Sequence, residues 1–566
     1  MNIDYIYTVL KSFFIISKKL NLNLTKHKQD KMKRRDVLKN LAVLPLAGGF
    51  FPVDSFSRST NGPLVPGSTI YQSIGVDPVI NCVGTYTIIG GSLERPEVVA
   101  AMHAASGFFV QYDELAFGIG RRLAEVTGAE WGMVSAGCAA GMKHVTAGCV
   151  SGGNPEKLIR IPDLAGFEKT EVVIPRSSRN AYDHAIRNIG VQIITVDSMD
   201  ELENALNSRT AMIYLMAGAE TLPGQKFALE NISKLANPKG IPILIDAAAE
   251  DLTIPNVHLE QGATVVAYSG GKALCGPQCA GLLLGKKDLL MSAWQASSPH
   301  HGPGRDNKVG KEEMMGMLAA VEAWVKRDHV EKMKTWHTYL ETISNRVLSV
   351  SGVKTAFHEP KGLSNHSPSL SISWNPDKLN INGPEVSEEL AAKQPRIAVH
   401  SNYSDESGNT SITISSGQMQ PGNDMVVADR IVSILSQKHS KSAGMNPPSM
   451  NISGHWDVDI DYYSSKSRHS FFIEQDGNWI KGSHNGDFSL RDMVGTIEGD
   501  QVKLSSSDRH IADNILFIFS GTVLGDTISG QIYMGEYINA RFTATRHNQK
   551  VVRRTIKFPK GQPLAT

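Results

Sequence analysis

Between residues 130 and 269 the chain repeats one pattern six times. The short apolar runs are "EWGMVSAG" (130–137), "EVVIP" (171–175), "VQIITV" (191–196), "TAMIYLM" (210–216), "IPILIDA" (241–247) and "ATVVAYS" (263–269). Amphipathic or glycine-bounded segments separate them at the spacing of a crossover connection. Runs that are apolar almost throughout have both faces buried, and their alternation with helices predicts an α/β fold. The expected architecture is a mostly parallel sheet with helices on both faces.

The remainder reads as further domains, since 566 residues exceed one ordinary core. A large domain is expected over 68–330. A helical stretch (311–348) leads into a small α+β domain over 331–437, with strands such as "SLSISW" and "SITISS". A polar linker (438–451) follows. Residues 452–548 are short β-like runs broken by Asp-Gly and Gly-Asp turns, which predict an accessory antiparallel barrel or sandwich. Lys plus Arg (57) nearly cancels Asp plus Glu (56), so no global field draws the chain to nucleic acid or an anionic membrane. The five cysteines form no CxxC pair, and neither a disulfide framework nor a zinc site is indicated.

Against that frame one lysine stands out. In "YSGGKALCGPQCAGLLLGKKDLL" (268–290), Lys272 follows two glycines at the carboxyl end of a predicted strand, where open α/β sheets present their ligands. Asp246 ends "IPILID" at the same kind of position. In "SAGCAAGMKHV" (135–145) a strand runs through Gly137, Cys138 and Ala139 into a helix, whose free N–H groups suit a phosphate. Each signal has a bland alternative: a solvated turn, a helix cap, tight helix–strand packing. Their order and combination point to pyridoxal 5'-phosphate. That cofactor needs a Schiff-base lysine (Lys272), an acid for its ring nitrogen (Asp246) and an anion site, to which Ser269 is placed to add a hydroxyl.

The amino-terminal part carries "KRRDVLK" (33–39) ahead of a short apolar segment. With adjacent Arg34 and Arg35, residues 32–53 read as a twin-arginine export signal, with cytoplasmic residence as the alternative. Residues 1–31, upstream of Met32, read as a doubtful N-terminal extension. The expected localisation is periplasmic or exported, by way of the twin-arginine machinery.

The segments "VINCVGTYTIIGG", "LAEVTGAEWGMVSAGCAAG", "YSGGKALCGPQCAGLLLGKKDL" and "KVGKEEMMGMLAAVEAW" resemble the selenocysteine synthase-like branch of fold-type-I pyridoxal-phosphate enzymes. That branch includes L-seryl-tRNA(Sec) selenium transferase and D-glucosaminate-6-phosphate ammonia-lyase-like proteins, and the resemblance spans about residues 68–435. It implies Lys272 as the Schiff-base lysine, Asp246 as the pyridinium partner and Gly137 to Ala139 as part of the phosphate cup. It also implies a homodimer or larger homo-oligomer. The selenium transferase carries an N-terminal tRNA-binding domain, where this sequence has the export-like signal. The expected function is therefore a lyase acting by α-proton abstraction and elimination on a small amino acid or amino-sugar acid, with no nucleic acid partner. Selenium transfer to seryl-tRNA is the runner-up. A secreted binding protein with a non-catalytic cofactor fold is the third reading.

Substrate contacts are sought on two loops. "PRSSRNAYDHAIR" (175–187) offers Arg179, Tyr182 and His184. "HHGPGRDNKVGKEE" (300–313) offers Arg305, since arginine suits bidentate recognition of a carboxylate or phosphate. Arg396 and His400 in "PRIAVHSN" are weaker candidates for a carboxylate-binding role in the small domain.

Overall fold

The computed structural model describes residue 64 and residues 66–440, 445–509 and 514–547. The expected signal and N-terminal extension lie outside the described residues. Among those described, no helix is long and apolar enough to cross a membrane.

All six repeated runs form strands of one sheet. After the short strand β1 (Val79–Asn81) come β2 (Trp131–Ser135), β3 (Glu171–Pro175), β4 (Gln192–Val196), β5 (Thr210–Met216), β6 (Ile243–Asp246) and β7 (Val265–Ser269). A seventh member, β8 (Gly281–Gly285), is the apolar run that follows Lys272. The order is β2-β8-β7-β6-β5-β3-β4. Strands β3 to β7 pair in parallel, whereas β8 runs antiparallel to both β7 and β2. The sheet is therefore mixed, because the link from β7 to β8 is too short for a crossover helix. Val172, Val173, Ile213, Leu244, Ile245, Val265 and Val266 are all fully or almost fully buried. Each such side chain contributes about 1.5–3 kcal/mol.

The small domain centres on a four-stranded sheet, β9 (Lys354–His358), β10 (Ser369–Trp374), β12 (His400–Asn402) and β13 (Thr410–Ser415), in the order β12-β13-β10-β9. Leu370, Ile372 and Trp374 of β10 pack with Leu340, Ile343 and Val347 of the helix His329–Val347 and with Ile431. The division between domains is not continuous in the chain. Strand β1, inside the span expected for the large domain, pairs in parallel with β11 (Arg396–Ala398), and Cys82 is buried in the small-domain core.

The carboxyl-terminal region is a closed barrel of eight antiparallel strands, β14 to β21, each paired with its sequence neighbours and β14 with β21. They are Gly454–Asp461, Lys466–Asp476, Trp479–Asn485, Leu490–Glu498, Gln501–Arg509, Asn514–Leu524, Thr527–Met534 and Tyr537–Arg546. Trp456, Phe471, Phe519 and Phe542 fill the interior. Gly477, Gly499, Gly525 and Gly535 each open a two-residue hairpin loop at φ between +57° and +70°. That left-handed conformation matches the twist of the flanking strands and favours glycine.

Candidate active site

Because β2 and β7 both oppose β8, the carboxyl ends of β2, β6 and β7 share one edge of the sheet. Each brings one part of a site there. At the end of β2 the chain turns through Gly137, at φ +92°, into the helix Cys138–Ser151. A side chain at Gly137 would point into open space. The first N–H groups of this helix have no intrahelical acceptor, so the geometry of the turn suits an anion. Gly281 is needed on the opposite side, since a Cβ there would collide with the Gly137 backbone.

Asp246 ends β6 with 6% of its surface exposed. Its carboxylate accepts hydrogen bonds from the Tyr214 hydroxyl (2.9 Å), the Ala248 N–H (3.1 Å) and, more weakly, the Cys138 thiol (3.6 Å). Asn180 in turn donates to the Tyr214 oxygen at 2.9 Å. Burial and the Asp246 charge raise the Tyr214 hydroxyl far above its ordinary value, so it stays protonated and keeps donating. Asp246 makes no ion pair among the described residues.

Lys272 sits in a turn that doubles back on itself. Gly270 N–H donates to Ala280 O and Gly276 N–H to Gly270 O, both at 2.8 Å. A Cβ on Gly270 would come within 2.7 Å of Pro277 O, and one on Gly271 within 2.7 Å of the Gln278 backbone. The small residues around Lys272 are thus what lets the loop fold tightly enough to present the amine. Lys272 lines a cavity of about 690 Å³ between the large and small domains. Its charge is felt at Cys138, whose thiol is pushed up by burial first and then by Asp246, with Lys272 opposing. Helix N-terminus, carboxylate and lysine therefore form one electrostatic unit.

The other candidates separate. Tyr182 lines the cavity, and its hydroxyl is raised by burial and then by the charges of Glu536 and Asp246. Glu536 belongs to the β20–β21 turn, so the charge of the barrel is felt at Tyr182. Ser269 ends β7 three residues before Lys272 and is half-buried. Arg179 is not presented to the cleft: it pairs with the fully buried Asp183 and donates to Thr195 at 2.8 Å. Asp183 is held between Arg179 and Arg187, the latter at 2.7 Å, and this pairing of a buried carboxylate draws Arg179 away from the cleft. His184 and Arg305 are exposed and do not line the cavity, the latter lying 3.5 Å from Ser298 Oγ. His400 does line it, bonded to Val83 O at 3.0 Å, whereas Arg396 caps Ala391 O. Tyr214 and Asn180 escaped the sequence reading, because a tyrosine inside "TAMIYLM" looks like core.

These residues fit pyridoxal phosphate. A buried carboxylate oriented by donors, yet lacking a cation, is costly unless a positive group such as a protonated ring nitrogen meets it. The Gly137 turn would supply the anion site and Lys272 the amine.

Comparison with known proteins agrees. The aminotransferase class-V family pattern matches residues 179–308. The chain is 27% identical over 363 residues to D-glucosaminate-6-phosphate ammonia lyase of Salmonella typhimurium, covering 62% of this chain and 95% of that one. A solved structure of D-glucosaminate-6-phosphate ammonia-lyase superposes with a TM-score of 0.58 at 26% identity, covering 65% of this chain and 98% of that one. Identity to the 5'-C-glycyluridine monooxygenase-decarboxylase of a Streptomyces species is 30%, over 45% of this chain and 65% of that protein. To L-seryl-tRNA(Sec) selenium transferase of Moorella thermoacetica it is 27%, over 45% and 57%. The chain carries an aminotransferase class-V domain of the fold-type-I pyridoxal-phosphate kind, and these likenesses together indicate a pyridoxal-phosphate-dependent lyase or transferase.

Proposed function

We propose that the enzyme is a lyase that removes the α-proton of a small amino acid or amino-sugar acid and eliminates a substituent, releasing ammonia. The observation that carries this reading is the convergence of Lys272, Asp246 and the Gly137 turn on one sheet edge beside the cleft. The similarity to the Salmonella ammonia lyase over nearly all of that protein's length supports it.

The bound cofactor supplies an electron sink for the charge left at the α-carbon. Lys272 would hold the cofactor through its amine, and the same amine, when free, would serve as the general base that takes the α-proton. Asp246, oriented by Tyr214 and Ala248, keeps a proton on the ring nitrogen. The backbone N–H groups of Cys138 and Ala139, with Ser269, hold the phosphate. Tyr182 closes one side of the site at its mouth. We infer a homo-oligomer and twin-arginine export from the sequence resemblance and the "KRRDVLK" segment.

Purified enzyme should absorb in the visible, bleach on borohydride reduction and release ammonia from an amino-sugar acid while exchanging the α-proton with solvent deuterium. Lys272→Ala should lose the absorption band and all turnover while unfolding at an unchanged temperature. Full activity in Lys272→Ala without added amine would overturn the assignment. Selenium transfer to seryl-tRNA, or salt-resistant binding specific to that tRNA, would favour the transferase reading instead.

A further inference from the structure

A loop of the small domain, residues 363–367, is stitched to the continuation of β6 beyond Asp246. Asp251 N–H donates to Leu363 O at 3.0 Å and Asn365 N–H to Ala249 O at 2.8 Å, with Glu250 and Ser364 bridged between them. Asn365 takes the bend at φ +48°, a conformation that asparagine tolerates better than most residues with a side chain. Ser367 then ties the loop to β13 through the Ser415 hydroxyl at 3.2 Å. The pairing sets His366 against Asp251. Its Nδ1 is buried and lies 3.3 Å from the Asp251 Oδ2, a charge contact rather than a directed hydrogen bond. Such contacts commonly tighten only when a ligand is bound.

Both side chains line the cavity that holds Lys272. Among the described residues of its wall, Asp251 is the single carboxylate and this the single contact between an imidazole and a carboxylate. The other two lining histidines bond carbonyls, His329 that of Trp324 at 3.1 Å and His400 that of Val83 at 3.0 Å. Glu250, next in the chain, is occupied by His258 at 2.6 Å. Burial raises the Asp251 carboxyl, and the charges of His366, His329, Lys332 and Arg327, all from the cavity wall, oppose that rise. Histidine is also the side chain that most readily gains and gives up a proton near neutral pH. The cleft therefore carries a proton carrier backed by an acid, and the chemistry above does not use it.

We propose that His366, positioned by Asp251, is the general acid that protonates the group leaving from the substrate's β-carbon. The inference rests on the elimination reading, in which Lys272 takes the α-proton and the leaving group still needs one. The Cα–H bond breaks, its proton going to Lys272 Nζ and its electron pair into the Cα–Cβ bond. The Cβ–O bond breaks with its pair on oxygen, and the imidazolium proton of His366 goes there, so the hydroxyl departs as water. Lys272 then holds one proton more and His366 one fewer, and exchange with solvent restores both. Asp251 touches no reacting atom in this scheme: it holds the imidazole and offsets its charge.

Serine and β-chloroalanine test this, because they differ in the leaving group alone. Hydroxide needs a proton to depart and chloride does not. Ammonia release from each is measured with cofactor-saturated wild type, His366→Gln and Asp251→Asn. His366→Gln should slow serine by about a hundredfold or more, the usual weight of a general acid, and β-chloroalanine by less than about threefold. Exchange of the serine α-proton with deuterium oxide should persist in that variant. Asp251→Asn should show the same selectivity at about tenfold. Equal losses on both substrates, unchanged serine turnover in His366→Gln, or a wild type that accepts β-chloroalanine and not serine would overturn the proposal. A wild type that releases no ammonia from β-chloroalanine defeats the elimination reading itself, and this role with it. The pairing also has a readout without cofactor or turnover. In cofactor-free enzyme the Asp251 carboxyl carbon, identified by its loss in Asp251→Asn, is followed by NMR through a pH titration. It should titrate higher in His366→Gln than in wild type, because one opposing positive charge is gone. An unmoved midpoint would overturn the pairing and the proposal.

Discussion

Two regions of this molecule bury a chain of polar side chains, and they end differently. At the sheet edge Asn180, Tyr214 and Asp246 are linked by hydrogen bonds, and the chain stops on a carboxylate that has donors but no cation. In the barrel, His469 Nδ1 meets His484 Nε2 at 2.8 Å, and His484 Nδ1 meets Ser506 at 2.7 Å. That chain stops on Asp487, which His469 reaches at 3.3 Å and which Ser467 also bonds. The barrel network is closed on its own partners and packed among Phe471, Phe517 and Phe519. Burial of polar groups is therefore not what marks a working site. What marks it is a buried charge without an ion-pair partner among the described residues next to an opening, as Asp246 is near Lys272.

The contrast can be broken most directly at Asp246. Asp246→Asn keeps the shape but removes the charge that would face the ring nitrogen of the proposed cofactor site. Turnover should fall by about a hundredfold or more, since preorganised electrostatic groups commonly supply roughly 3 kcal/mol of barrier lowering. Near-normal turnover would mean that another group keeps the ring protonated. Tyr214→Phe should act in the same direction and less strongly. It deletes one hydrogen bond to a charged acceptor, worth about 1.5 kcal/mol, and so should lower turnover about tenfold with the absorption band retained. A Tyr214→Phe enzyme indistinguishable from wild type would show that Ala248 and Cys138 suffice to orient the carboxylate.

The smallest effect on catalysis is expected in the barrel. His484→Gln should leave turnover unchanged and alter only stability. Burial, with His469 and Arg491 adding repulsion, depresses His484 to about 3. Its unfolded counterpart takes up a proton near the ordinary histidine value of about 6.5. The unfolded state therefore binds more protons throughout that interval, and barrel stability should drop as pH falls from about 6.5 toward 3. Thermal unfolding followed across this range should show the drop in wild type and a shallower one in His484→Gln. A change in turnover for that variant would tie the barrel network to the chemistry and dissolve the comparison.

Much of the fold was legible because periodicity carries it. The six apolar runs had to be buried strands, and the hairpin glycines of the barrel announced their turns through the one conformation that glycine adopts freely. The candidate site was legible where position in the chain equals position on the sheet: Gly137, Asp246 and Lys272 each follow a strand, and parallel neighbours bring strand ends to one edge. Arg179 is equally well placed in its loop, but nothing in the local sequence says that Asp183 is fully buried and draws both Arg179 and Arg187 to it. Conversely, "WVKRDHVEKMK" (324–334) reads as the solvated face of a helix. Only the closure of the small domain over the large one turns Arg327 and Lys332 into a cleft wall.

By itself, then, the amino-acid order determined the strands, the order of the lysine, the carboxylate and the phosphate-type turn, and the separateness of the β-rich end, because these depend on local pattern and chain connectivity. The tertiary structure decided that β8 returns antiparallel, that β1 joins the small domain, that Tyr214 orients Asp246, and that Arg179 turns to the buried Asp183. Those outcomes depend on which side chains share a desolvated space, and contact between residues far apart in the chain leaves no periodic trace in it.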